Sequence, residues 1–570
     1  MIHTHKIKYL LVLLCLIPSI HGAGVKWEIT RQWNETEEEL FSEFISTIGK
    51  AVKSRKCFTT DQCLRSPIAN PLFAKKNPSG LSEIFSDCAD LPYVLRGYFA
   101  FMRGLPFVFP QGVTFYSPEI EQTRAEYYRA KAEYDRYSFW NRPREVRSRY
   151  KDLKDKLEDL LKDAGKDIRY SRSGNKITAL KKIQGGENIN SILDQIVGSV
   201  STASFRVDAS RFDQGSVFKD TYAIKLDREN LKPGTVLYDP AGHIALVSEV
   251  TDSGKIYLID AHPDNSITYI AYGEKFSRSP VSRGAGFVNW RPYSYSNGNY
   301  RPVANKDLDG YALEQFYGYP ENPYVDFRKA EYNFNGTEMD YYHFVRARLS
   351  LDGLSVNPIE EFAVALDDLC IDFKDRVDSV DKAVAAGLHD KKHPKALPEN
   401  IYGTDGEWET YSTPSRDARL KASVREIYNT VREYLDPSLS SGLEVEYNGA
   451  NLKGDLAKIF TAKTKSCKYS FKKSNGVSFQ TNLKDSLQAL FKLSFDPYHC
   501  IELRWGLSGD DLNTCSQSED KWDWYREEQP LRNQIERDYS KFMGYELNEL
   551  GSSGLGVRQS PQINIEELLY

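Results

Sequence analysis

The stretch HIALVSEVTDSGKIYLIDA, residues 243–261, decides the fold. His243 to Val250 and Lys255 to Ala261 are runs of aliphatic and β-branched residues, and Thr251-Asp-Ser-Gly254 between them is turn chemistry. Two such runs around such a turn predict an antiparallel hairpin. A third run, Gly234 to Tyr238, precedes it. With Thr251–Gly254 as the turn, Val250 faces Lys255 and His243 falls opposite His262. Side chains alternate along a strand, so Asp260 shares the face of His262, one diagonal step from His243. A polar group beside an imidazole is what a catalytic base needs to fix its tautomer and ring orientation.

The nucleophile for such a base lies upstream, in SDCADLPYVLRGYFAFMRGLPF, residues 86–107. Leu91, Leu95, Tyr98 and Met102 recur at helical spacing, so a helix follows Cys88 directly and Gly104 and Pro106 end it. Pro92 is tolerated only in a first turn, which places the helix start near Asp90 with Cys88 just ahead. A cysteine there sees the positive end of the helix dipole, which favours the thiolate and offers N–H donors to an oxyanion. The competing reading is a buried structural cysteine.

Asp87-Cys88 before a helix ending in Gly-Leu-Pro, then Leu231 to Tyr238, then Gly242-His243-Ile-Ala-Leu-Val and a closing polar strand, together resemble the NlpC-type cysteine peptidases of bacterial cell walls. The resemblance covers about 20 residues near Cys88 and about 35 near His243. It implies an α+β, papain-like fold in which Cys88 is the nucleophile, His243 the base, and His262 or Asp260 the orienting group. It implies cleavage of amide bonds in peptidoglycan stems, with no cofactor. Cys-x-Asp before Gly-Leu-Pro and a His-to-Asp separation of 17 equally resemble the transglutaminase-like branch of that broad fold, where an amine can replace water as acceptor. A third possibility, from another class, is a non-catalytic exported binding or scaffold protein with a structural Cys88.

Residues 1–23 have the layout of a secretory signal peptide: Lys6 and Lys8, the apolar run from Tyr9 to Pro18, then Gly22 and Ala23. The run is about half the ~20 residues a spanning helix needs, and no second such run follows, so export without a transmembrane segment is expected. Cys15 lies inside that signal, leaving Cys57, Cys63, Cys88, Cys370, Cys467, Cys500 and Cys515. An odd number in an oxidising compartment leaves one thiol over. The simplest pairing is Cys57–Cys63, Cys370–Cys467 and Cys500–Cys515, with Cys88 single. None of the spacings is CxxC, which argues against structural zinc.

The rest of the 570 residues divides by composition. Residues 24–120 hold the Cys88 helix among Pro/Gly-rich turns. Residues 121–170 carry 14 basic and 11 acidic residues with leucines at helical spacing, which reads as a solvated helical insertion in the catalytic domain. Residues 171–304 are the β-rich part of that domain. Residues 305–570 read as a mainly helical region, with helices over Pro358–Val384 and Asp417–Leu435. Against 75 basic residues stand 80 acidic ones, too near balance for a nucleic-acid partner. Asn400 to Asp417 reads as an aromatic-rich packed loop or substrate rim. His389 and His393, among lysines before Pro394, read as a solvated turn, and Trp522 and Trp524 as core packing.

Overall fold

The computed structural model describes residues 25–212, 219–319, 332–351, 353–439, 444–516 and 518–570, so the expected signal peptide lies outside the described residues. The chain mixes helices with small sheets. Helix α1 (Glu35–Lys53) is capped by Asn34, which accepts the Glu37 N–H, and carries acids in its first turn and lysines in its last, matching the helix dipole. Helix α2 (Leu91–Arg103) follows Cys88, with Pro92 in its first turn and Gly104 in the left-handed region at its end. Helices α3 (Pro118–Asp135) and α4 (Arg144–Ala164) pair as a hairpin carried on a two-stranded ladder of Val108–Phe115 with Asn175–Lys182. Its tip is exposed: Phe139 is 65% and Trp140 88% accessible.

The main sheet is antiparallel throughout and has six strands: β1 (Thr221–Ala223), β2 (Val236–Asp239), β3 (His243–Val250), β4 (Ile256–Ala261), β5 (Ile267–Ala271) and β6 (Gly286–Trp290), in the order β1-β6-β2-β3-β4-β5. Alternation divides its side chains between two cores. Ile244, Leu246, Tyr257 and Ile259 pack under α1 and α2 against Phe41, Phe44, Ile48 and Tyr98. Ala245, Val247, Ile256 and Leu258 pack on the other face with Phe344 and Val345. Each fully buried aliphatic or aromatic side chain is worth about 1.5–3 kcal/mol, so a one-residue slip that exchanged the faces is strongly resisted.

The β3–β4 register differs from the simple turn count. Val250 faces Ile256, not Lys255, and a bulge between Val247 and Glu249 takes up one residue, so Val247 faces Leu258 and Leu246 faces Ile259. Beyond the bulge the pairing continues on the line that sets His243 across from His262. The bulge absorbs the one-residue error in the turn.

In the C-terminal half, α5 (Pro358–Ala385), α6 (Pro414–Leu435) and α7 (Leu452–Ser466) share a core of Phe362, Leu366, Phe373, Leu420, Val424 and Phe460. A buried two-pronged ion pair, Arg376 to Asp417 at 2.7 and 3.0 Å, joins α5 to α6. Disulfides connect Cys57 with Cys63, Cys370 with Cys467 and Cys500 with Cys515, and Cys88 stays free. Trp524 is buried, stacked on His393 at 4.3 Å. The solvated turn expected at His393 is wrong: its side chain is fully enclosed, because the loop turns inward and Asp496 receives it. Among the described residues no helix is long and apolar enough to cross a membrane.

Candidate active site

Cys88 sits in the turn between an extended segment and α2, partly accessible, with its thiol facing the backbone N–H of Ile244. That contact puts the thiol at the backbone of β3 one residue along from His243, and close enough to Asp260 to feel its charge. The expectation of a thiolate favoured by the helix start needs correcting. Burial, followed by the charge of Asp87 and then that of Asp260, pushes the Cys88 thiol well above its ordinary value. The helix begins three residues later, at Leu91, and carboxyl groups occupy its approach. Asp87 accepts the Ala89 N–H at 2.8 Å, and the Asp90 carboxyl accepts the Asp87 N–H at 3.1 Å. Burial and the neighbouring Asp87 push Asp90 up to about 10, so Asp90 is itself protonated at neutral pH.

His243 is the first residue of β3. Gly242 before it has φ of 78°, and a Cβ there would lie 2.5 Å from the Tyr170 ring, so both backbone and space require glycine. His243 Nε2 lies 2.6 Å from Asp260 Oδ2. That leaves Nδ1 as the nitrogen able to take a proton. Asp260 is fully buried, and its other oxygen accepts the Thr268 hydroxyl. Since that hydroxyl gives its hydrogen to Asp260, its oxygen accepts from His262 Nε2 at 3.0 Å. His262 is 3.6 Å from Asp260, and its ring stacks on that of His243 at 5.8 Å. Of the two orienting candidates, Asp260 is thus the one bonded to His243, and His262 stands behind it.

Electrostatics follow from depth. Burial, then the positive Arg419, lowers His243. Burial, then Arg416, pushes His262 down to about 4. Burial alone would raise Asp260, but the two imidazoles hold it well below the usual carboxylate range. At neutral pH the site is therefore a thiol, a neutral imidazole and a carboxylate. Proton transfer from sulfur to Nδ1 would create an imidazolium already facing an anion, the arrangement that activates a nucleophile toward acyl transfer.

Several residues around the site have no sequence signal. Arg416 and Arg419 come from α6, Arg416 from the end of the stretch read as a packed loop or substrate rim and Arg419 from the region read only as helical. Arg416 reaches Asp264 at 3.3 Å, and Lys382 of α5 donates to the Asp264 carbonyl at 2.8 Å, pinning the turn after β4. Thr268 carries nothing to mark it among other strand threonines. The Asn400–Asp417 stretch is packed: Ile401, Tyr402 and Trp408 are buried, and Gly406–Tyr411 is helical. It also borders the site. Gly403 lies under Tyr170, and Glu409 pairs with Arg169 at 3.2 Å.

A cavity of about 190 Å³ between β5 and helices α5 and α6 includes none of Cys88, His243 or Asp260 in its lining. Among the described residues, the groups close enough to hold a cation are His393 with Asp496 and Glu528, and Glu502 with Cys500 and Cys515, whose sulfurs are joined in a disulfide; neither group includes a residue of this site. No protein-family model, curated protein or solved structure matches the chain.

Proposed function

We propose that the chain is a cysteine-dependent amide hydrolase, with Cys88 as nucleophile, His243 as base and Asp260 as the group that orients it. The observation that carries this reading is the bond from His243 Nε2 to the buried Asp260, with the Cys88 thiol against the next backbone N–H. In the proposed cycle the Cys88 proton moves to His243 Nδ1 as sulfur bonds to the amide carbonyl carbon. Collapse of the adduct breaks the C–N bond, and the imidazolium gives its proton to the leaving amine. Water then adds to the thioester, giving a proton back to His243, and the thiol re-forms as the carboxylic acid leaves. The Cys–His–Asp arrangement beside a buried helix and an antiparallel sheet agrees with the papain-like fold and NlpC-type resemblance. Export and that resemblance both point to peptidoglycan stem peptides as substrate.

The test is digestion of purified peptidoglycan by the secreted chain, with the products identified by mass and Cys88→Ala as control. New free amino groups that disappear in the variant support the reading. A Cys88 that resists alkylation in the folded protein, with no products formed, leaves the scaffold reading. Asp260 rather than His262 as the bonded partner also favours a transglutaminase-like variant. Incorporation of an added amine into the acyl product would distinguish that variant from hydrolysis.

A further inference from the structure

Apart from the Cys88 site, three loops bury a second polar cluster. His393 follows α5, Asp496 and His499 lie in the turn before the Cys500–Cys515 disulfide, and Glu528 ends the helix Glu519–Glu527. The side chains of His393, Asp496, His499 and Glu528 are fully enclosed or nearly so. One ligand atom each from His393, Asp496 and Glu528 lies within 4.8 Å of the others, and His499 Nε2 is 3.5 Å from Asp496 Oδ2.

The hydrogen bonds of this cluster do not close. His393 Nδ1 is 2.7 Å from the Pro394 carbonyl, which can only accept, so Nδ1 carries the hydrogen. In a neutral ring Nε2 then presents a lone pair, and it points at Asp496 Oδ2, 2.7 Å away. At that distance either the ring carries a second proton or a cation would draw the two atoms apart. His499 has the same form: Nδ1 is 2.7 Å from the Ser494 hydroxyl, which can accept its hydrogen, and Nε2 has no partner. Both Glu528 oxygens are buried with no N–H or hydroxyl donor, their polar neighbour is the Asp496 carboxyl, and Arg532 approaches one of them only to 3.7 Å. Two buried carboxyls side by side and a buried imidazole nitrogen without a partner call for either a shared proton or a cation.

We propose that His393, Asp496, His499 and Glu528 form a structural site for one divalent first-row transition metal, zinc being the simplest occupant. Two imidazoles with two carboxylates suit such an ion, whereas magnesium and calcium prefer all-oxygen sets. Tetrahedral ligation at ~2.0–2.1 Å spaces the ligand atoms ~3.3 Å apart, between the 2.7 Å of His393–Asp496 and the 3.5 Å of His499–Asp496. The Pro394 carbonyl and Ser494 hydroxyl hold the far ring nitrogens, as outer partners of metal-bound histidines do. Four protein ligands in a closed pocket make the site structural and not catalytic. It would tie the loop after α5 to the segment from Asp496 to Glu528. The absence of CxxC spacing is no obstacle, because the site uses no cysteine.

The rival occupant is a proton shared among the same groups, and the test separates the two. The secreted full chain is unfolded in guanidine with its disulfides intact, freed of metal with a chelator, and refolded with zinc or with chelator alone. The proposal expects about one zinc per chain after dialysis, a higher Tm with zinc than with chelator, and loss of the bound zinc in both Glu528→Gln and His499→Ala. Equal Tm values in the two wild-type refolds, with no retained metal, would overturn it, and that comparison does not depend on either variant folding. Zinc retained undiminished by both variants would overturn it as well.

Discussion

His243 and Asp260 meet at 2.6 Å across neighbouring strands, and the Thr268 hydroxyl holds the other oxygen of the carboxylate. The first prediction concerns this pair. Asp260→Ala removes the acceptor that fixes the His243 tautomer, and on the proposed hydrolase reading amide turnover should fall by roughly 10²–10⁴, the range that general-base assistance supplies. Asp260→Asn keeps an oxygen that can accept from Nε2, so its loss should be smaller. Equal rates for wild type and Asp260→Ala would show that Asp260 does not act through His243.

The protonation states give a pH profile. His243 is lowered from its usual 6.5, so the imidazole is already neutral above that value, and activity should be lost on the acid side only below it. Cys88 is raised, so the pair stays a thiol and a neutral base through neutrality. Iodoacetamide, which reacts with thiolate, should label Cys88 slowly near pH 7 and much faster above pH 9. A papain-type ion pair would instead label rapidly near pH 6, and that result would contradict the carboxyl-lined environment described for Cys88.

Stability has its own pH signature at His262. Burial and then Arg416 hold it at about 4 in the folded state, against about 6.5 unfolded. The unfolded chain therefore binds the proton more readily. The His262 contribution is fully present above about pH 6.5 and is lost as pH falls toward 4, by roughly 3 kcal/mol in all. His262→Gln retains a donor for Thr268 but cannot titrate, so Tm measured between pH 7 and pH 4 should fall less steeply in the variant. Parallel curves would remove His262 as a source of the acid sensitivity.

The helical hairpin should be dispensable. Glu119 and Lys156 lie 3.3 Å apart across α3 and α4, and the ladder beneath is closed by Phe115 against Asn175. Replacing residues 124–152 with a short Gly/Ser turn removes mostly exposed surface, including Phe139 and Trp140. The shortened chain should melt within a few degrees of wild type and keep the same Cys88 alkylation rate. Tyr170 and Arg169, which contact the site, are left in place.

How much of this was readable depended on whether the signal was local. The helix after Cys88 was legible because Pro92 and Gly104 mark its two ends, and the hairpin because its turn residues sit between two aliphatic runs. The register line through His243 also emerged, although the bulge after Val247, which makes it correct, carries no sequence mark. The thiol's environment was misread, because the dipole rule sees the helix start but not the depth of the site or the Asp90 carboxyl that occupies it. Arg419 was invisible, and Arg416 showed only as part of the loop read as a packed stretch or substrate rim: both lie more than 150 residues beyond His243, and only packing of α6 onto the sheet brings them to it. His393 was misread for the same reason, since its neighbours in sequence are lysines while its neighbours in space are Asp496 and Trp524.

The three disulfides differ in what they constrain, and this yields the last prediction. Cys57–Cys63 spans 6 residues and Cys370–Cys467 spans 97. In the chain-entropy account a closed loop restricts the unfolded state more as it lengthens, by about 2 kcal/mol for the short loop and nearly 5 for the long one. The long bridge also joins α5 to the end of α7 across a shared core, so losing it frees the segment that carries α6. Cys370→Ala/Cys467→Ala should therefore lower the denaturation midpoint clearly more than Cys57→Ala/Cys63→Ala. Because α6 supplies Arg416 and Arg419, the long-bridge variant should also weaken the acid side of the His243 profile, whereas the short-bridge variant should leave it unchanged. Equal midpoints in the two double variants would mean that the C-terminal helices hold together through packing and the Arg376–Asp417 pair, without help from the covalent link.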